Sequence, residues 1–202
     1  MSLTNKIDFA LIFSVKNANP NGDPLNGNRP RTDYDGFGEV TDVCLKRKIR
    51  DRLQESGELI FVQTDEKKTD GMPNLKSRAQ SDEYGLGEEA FKLDKKKPEK
   101  KSKTAKLACD KWLDVRTFGQ LFAFGKGADD ATGVSIPIRG PVSIQSAFSV
   151  EPVSITSLQI VKSVNAEEAK GKSDISSDRM GMKHRVDKAI YVTYGAMSPQ
   201  LS

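Results

Sequence analysis

Residues 6–15 narrow the possible folds of this chain more than any other stretch. Ile7, Phe9, Leu11, Phe13 and Val15 alternate with Asp8, Ala10, Ile12 and Ser14, and an apolar period of two residues marks a strand with one face on a core. The strand runs into Asn17-Ala-Asn-Pro-Asn-Gly-Asp-Pro24 and then Leu25-Asn-Gly-Asn-Arg-Pro-Arg31. That density of Asn, Gly and Pro predicts turns instead of a regular element, with backbone N–H groups left open. Thr41 then offers an N-cap to a helix from about Asp42 to Gln54. Asp42 suits the positive end of the helix dipole and Gly57 is a natural stop. Leu45, Ile49 and Leu53 form the buried stripe of this helix, and Lys46, Arg47 and Arg50 fall on a neighbouring exposed flank. Glu58-Leu-Ile-Phe-Val-Gln63 reads as a second strand.

From about Thr64 to Lys106 the pattern breaks into short polar pieces. Lys92 to Lys106 carries eight lysines against two acids, which predicts an inserted subdomain with a mobile lysine-rich loop. Such a run either stays solvated or touches nucleic acid, and sequence does not choose between the two. In Leu107 to Gly125, Trp112, Val115, Phe118, Leu121 and Phe122 take helix-compatible positions and read as core, with Arg116 and Gly119 as exceptions. After Arg139-Gly-Pro141, Val142, Ile144, Phe148 and Val150 alternate with Ser143, Gln145, Ala147 and Ser149 in one strand. Further strands cover about Ser154 to Val164 and Ala189 to Tyr194. Ser198-Pro199 looks like a helix start, and with the sequence ending at Ser202 this predicts a shortened chain.

Bulk properties exclude several classes. The net charge is only +4, so an argument for a polyanionic partner must rest on where charge lies. The first residues lack a signal-peptide pattern and no apolar run has bilayer-spanning length, which predicts a soluble cytoplasmic protein with no membrane partner. Cys44 and Cys109 are isolated and His184 is the only histidine, too few for a disulfide framework or a Cys/His zinc site. There is no nucleophile elbow, Walker A loop, HExxH helix or dinucleotide GxGxxG motif. Gly36-Phe-Gly38 reads as a turn. No catalytic residue, metal or cofactor is therefore expected. Asp23, Asp33 and Asp35 could bring carboxylates together on one loop, and they suit turn formation or a metal-assisted phosphodiesterase.

RNA binding is better supplied. Ser176-Ser-Asp-Arg-Met-Gly-Met-Lys-His-Arg-Val-Asp187 sets Met180 and Met182, adaptable and polarizable, beside Lys183, His184 and Arg185, which suit phosphates. The alternative is a surface hairpin with both methionines tucked onto the core. Together with the loop residues Asn17, Asn19, Asn21 and Gly22 and the helix flank Lys46, Arg47 and Arg50, the segment suits single-stranded RNA held by its backbone. Intramolecular salt bridges are the competing fate for the flank.

Five stretches in this order, Asn17 to Pro24, Gly38-Glu-Val-Thr-Asp-Val-Cys-Leu-Lys-Arg-Lys-Ile-Arg-Asp51, Asp114-Val-Arg-Thr-Phe-Gly119, Arg139-Gly-Pro-Val142 and Ser177 to Asp187, resemble the backbone subunit of CRISPR Cascade surveillance complexes, subtype I-C, of the repeat-associated (RAMP) superfamily. The resemblance implies an α+β fold: an RNA-recognition-motif-like (ferredoxin-like) core with a helical insertion and a protruding β-hairpin thumb. The core's C-terminal helix and strand would be missing here. The implied division is residues 1–63 as the first part of the core or palm, 64–132 as the inserted fingers, and 133–202 as the remaining strands with the thumb at about 165–188. It further implies a non-enzymatic antiviral subunit whose partners are CRISPR RNA, other copies of itself, other Cascade subunits and, through the guide, target DNA. Asn17 to Gly22, Lys46, Arg47 and Arg50 would line the palm, with Arg116 near it. Met180, Met182, Lys183, His184 and Arg185 would form the thumb. Two alternatives remain: a metal-dependent RNA endonuclease like related type III backbone subunits, using a loop aspartate, and an assembly protein that does not touch RNA.

Overall fold

The computed structural model describes residues 4–92, 98–124, 134–161 and 180–201. They form a mixed α+β fold with a sheet core and helical insertions. The chain divides into two compact units. One contains Ala10–Leu45 and Gln145–Tyr194; the other contains Met1–Phe9, Lys46–Ile144 and Gly195–Ser202.

The first unit is built on a sheet in the order β1 (Ile7–Ala18), β10 (Met180–Met197), β8 (Ala147–Pro152) and β4 (Phe37–Val40). Val15, Val40, Ala147 and Tyr191 are buried, and Phe13 stacks on Tyr191 with ring centroids 5.4 Å apart. The predicted inner face of β1 is thus apolar, but only Val15 on it is buried, while Ile7 and Leu11 stay exposed. Gly38 lies under the Tyr191 ring: a Cβ there would stand 2.3 Å from the phenol oxygen. The Asn/Gly/Pro-rich stretch contains a small hairpin, β2 (Gly22–Asp23) with β3 (Arg29–Pro30), joined by a 3-10 turn over Pro24–Asn26. Asp23 caps that turn through Leu25 N at 3.2 Å, and Gly27 and Asn28 both have φ of 58°.

The expected short strand at Ala189–Tyr194 is the second half of the 18-residue strand β10. Its first half pairs antiparallel with β9 (Ile155–Val161), from Met180 opposite Val161 to Val186 opposite Ile155. A two-stranded ribbon results.

In the second unit, α1 (Asp42–Glu55) contributes from Lys46 onward, followed by α2 (Leu75–Gln80), α3 (Glu88–Phe91), α4 (Pro98–Lys111), α5 (Leu113–Phe118) and the hairpin of β5 (Gly119–Phe124) and β6 (Val134–Arg139). Phe61, Phe91, Trp112, Val115, Phe122 and Ile136 make the core, with Ala79 and Ala108 filling the narrow places. Its rings meet at an angle, Phe61 against Trp112 at 4.7 Å and against Phe122 at 5.0 Å, the tilted geometry that aromatic quadrupoles favour. Thr41 does begin α1, accepting from Cys44 N at 3.3 Å.

Four expectations are corrected. Residues 58–63 are not a strand, because side chains satisfy their backbone: Phe61 N and Val62 N donate to the Asp114 carboxylate at 2.7 and 3.1 Å, and Arg78 Nη1 donates to Phe61 O at 2.9 Å. Paired in this way, the segment needs no sheet neighbour. The lysine-rich loop is helix α4 from Pro98 on, since Thr104 and Ala108, one turn apart, are buried and anchor the lysines' own good helix propensity. The part at 93–97 lies outside the described residues. The helical reading of Trp112 to Phe122 fails at Gly119, whose φ of 78° ends α5 and starts β5. Leu121 and Phe122 therefore face opposite ways, one exposed and one buried.

Residues 142–150, finally, are two strands. β7 (Val142–Ile144) pairs with Gly195–Met197 of β10 and β8 pairs at Tyr191 and Val192, with the register slipping by one residue between them. The slip puts Ala147 and Ser149 inward and leaves Phe148 and Val150 exposed. A one-residue slip exchanges the two faces of a strand.

Candidate nucleic-acid interface

Opposed residues of an antiparallel pair share a face, and every second rung repeats it. One face of the β9–β10 ribbon therefore carries Met180 with Val161, Met182 with Gln159, His184 with Ser157 and Val186 with Ile155. Burial falls along that face from Val186 to Met180: Val186 is fully buried and His184 nearly so, while Met182 and Met180 are 54 and 61% exposed. The methionines are off the core. Lys183 and Arg185 point to the other face, the first exposed and the second half-buried. His184 departs from expectation: its Nδ1 lies 2.8 Å from Ser157 Oγ, inside the ribbon's base and not on an open surface. Residues 176–179, and 165–179 of the expected thumb, lie outside the described residues.

The Asn/Gly loop is also more internally bonded than its composition suggested. Asn21 Oδ1 accepts from Thr41 N at 3.0 Å and from Thr41 Oγ1 at 2.9 Å, tying the loop to the start of α1. Asn19 Nδ2 donates to Asn28 O at 2.7 Å, and a Cβ at Gly22 would stand 1.9 Å from Asn28 Oδ1. The backbone amides of Asn28 and Arg31 donate within the hairpin, to Asp23 O and Asn21 O. Asn17 is exposed and holds a positive φ of 53°. The loop's aspartates form turns: Asp23 caps Leu25 and pairs with Arg31 at 3.2 Å, and Asp33 accepts from Asp35 N and Phe37 N at 3.0 and 2.8 Å. Among the described residues no three His, Cys, Asp or Glu side chains converge as a metal site would require.

Lys46, Arg47, Arg50 and Arg116 belong to the other unit. Arg50 is not on an exposed flank: its Nε donates to the buried Asp114 carboxylate at 2.9 Å, and its guanidinium lies over the Phe118 ring at 5.2 Å. Packing has taken it for the fold. Arg47 pairs with Asp51 one turn along α1, a surface contact of about 0.3–0.5 kcal/mol that phosphate can exchange. Arg116, in the last turn of α5, is exposed. Among the described residues no helix is long and apolar enough to cross a membrane.

Residues 5–202 match the family model described as CRISPR-associated protein Cas7. The chain belongs to that family. It is 32% identical over 194 residues to a CRISPR-associated protein Cas7 of Haloferax volcanii, a match covering 89% of this chain and 54% of the relative. It is also similar to a chain of a solved structure titled "CRISPR RNA-guided surveillance complex, pre-nicking", with a TM-score of 0.48 and 17% identity, over 98% of this chain and 62% of that one. The chain thus spans about half the length of its Haloferax Cas7 relative.

All the candidate residues fall within the part that matches Cas7. One basic residue of the same region was not singled out from the sequence. Arg29, in β3, reaches across to β9, where its Nη2 donates to Ser157 Oγ at 3.1 Å. The stretch reads from sequence as turns, and only the folded hairpin separates Arg31, paired with Asp23, from Arg29.

Proposed function

We propose that this chain binds the backbone of CRISPR RNA as one of several identical copies in a Cascade-type surveillance complex, holding the guide for pairing with target DNA. It is a structural subunit in this reading and works in the cytoplasm with other Cascade subunits. The observation that carries the proposal is the family match along residues 5–202. The sheet of the first unit serves as an RNA-recognition-motif-like core, the helices after residue 63 as the inserted fingers, and the β9–β10 ribbon as the thumb.

The exposed Met180 and Met182 support this reading, since apolar side chains in water are a surface waiting for a partner. Met180 and Met182 wedge against bases, with Lys183 and Arg185 on the opposite face for phosphates. Asn17 adds a contact in the first unit, and Lys46, Arg47 and Arg116 add contacts in the second. Asn19, Asn21 and Gly22 shape the loop, while Arg50 and His184 act through Asp114 and Ser157.

Native mass spectrometry of the purified chain with single-stranded RNAs of increasing length tests the repeated-subunit claim. Bound copies should rise stepwise with RNA length. A fixed single copy on every length contradicts it, and absence of any complex favours an assembly protein that does not touch RNA.

A further inference from the structure

We infer that Arg29 binds a phosphate of the RNA backbone on the methionine face of the ribbon, and that Ser157 positions it there. The inference rests on the RNA-binding reading above and names a contact within it. Arg29 sits in β3 opposite Asp23, yet its side chain leaves that hairpin and meets β9, 128 residues away in sequence, at Ser157. Arg31 spends its charge on Asp23. Arg29 makes no ion pair among the described residues, is exposed, and has a neutral hydroxyl as its one hydrogen-bond partner there. Four of its five N–H donors remain for an oxyanion.

A guanidinium only donates, so Ser157 Oγ accepts from Arg29 Nη2, and the same oxygen makes a second hydrogen bond with His184 Nδ1. Ser157 is thereby held from both sides. Because His184 is buried, the hydroxyl is anchored in the base of the ribbon and orients Arg29 before any ligand arrives, which reduces the ordering needed on binding.

Register places this charge where the methionines need it. Ser157 and His184 share a face with Met182 and, one further repeat out, Met180. Two residues along a strand advance about 7 Å, so Arg29's anchor lies one step from Met182. A nucleotide whose base rests on Met182 has its backbone within reach of Arg29. The exposed thioethers and the unneutralised guanidinium then make a single site, apolar at Met180 and Met182 and cationic beside Ser157.

The test is RNA affinity against salt for the wild-type chain and for Arg29→Ala, Arg29→Gln, Ser157→Ala and Ser157→Thr, with melting temperatures alongside. Arg29→Ala and Arg29→Gln should both bind about tenfold more weakly. Each should also flatten the slope of log affinity against log salt by about 0.7 per copy, at unchanged melting temperature. Ser157→Ala should weaken binding with the fold intact, and Ser157→Thr, which keeps the hydroxyl, should restore it. Wild-type binding with unchanged affinity and slope in both Arg29 variants overturns the inference and spares the RNA reading. A wild-type chain that binds no RNA at low salt overturns both.

Discussion

Arg50 Nε donates to the Asp114 carboxylate across 2.9 Å, and Asp114 has no exposed surface. The same carboxylate holds Phe61 N and Val62 N. One buried anion therefore joins α1, the irregular segment at 58–63 and the start of α5. A buried ion pair contributes little against a well-packed apolar substitute, but removing one partner leaves a charge stranded.

Asp114→Ala is therefore expected to cost about 3–5 kcal/mol of stability, through Arg50 and the two amides it leaves unpaired. Arg50→Ala should cost a comparable amount, and the double variant less than the sum of the two. Urea unfolding of the three variants checks this; strict additivity would show that the pair is not coupled.

That network also shows how far the sequence could be read. The helix at Asp42, its Thr41 cap and the strand at residue 7 were legible because capping and periodicity are local signals. The roles of Lys46, Arg47 and Arg50 were not separable, since all three are basic at neighbouring positions and only the approach of α5 decides that Arg50 is consumed. The stretch at 58–63 carried strand-like residues, but its hydrogen bonds come from Asp114 and Arg78, far along the chain. Lys92 to Lys106 hid a two-residue buried stripe, Thr104 and Ala108, under a composition that mimics a loop. His184 was misplaced for a related reason: a charged-looking run on a strand alternates in and out, and the ribbon's register buries it.

Asp70 gives a pH signature. The Arg78 guanidinium hydrogen-bonded to it, helped by the Met72 amide, holds its carboxyl below the ordinary value of 3.8. A carboxyl depressed in the folded state stabilises fully above its unfolded value and loses that contribution as pH falls toward the folded one. Asp70→Asn should therefore be less stable than the wild type at pH 7, with the gap closing below about pH 4. Denaturant unfolding at pH 7, 5 and 3 measures it, and a gap independent of pH contradicts the assignment.

Gly119→Ala is expected to destabilise by about 1–3 kcal/mol. A Cβ there meets Ile138 O at 2.4 Å, and the residue holds φ of 78°. The effect should appear as a lower melting temperature; an unaltered melt would mean that the turn from α5 into β5 relaxes freely.

Met180 and Met182 are exposed, so replacing both with Ala should change stability by no more than about 0.5 kcal/mol. Truncation of a core methionine costs about 2–5 kcal/mol instead. Cooperative assembly along a long guide should fall while binding to a short RNA persists. Loss of stability with assembly intact contradicts the thumb role.

Incubation with complementary RNA and magnesium should give no cleavage, because the Asp23 and Asp33 carboxylates are engaged in their own turns. Periodic products that vanish in Asp23→Ala, Asp33→Ala or Asp35→Ala would make the chain an RNA endonuclease.

The salt dependence of single-stranded RNA binding by the purified chain, measured for guides of unrelated sequence, bears most directly on the central claim. Backbone recognition requires affinity to fall steeply with salt, by a slope of about −0.7 for each phosphate neutralised, and to the same extent for every guide. Affinity unchanged between low and moderate salt, or slopes that follow base sequence, would contradict it.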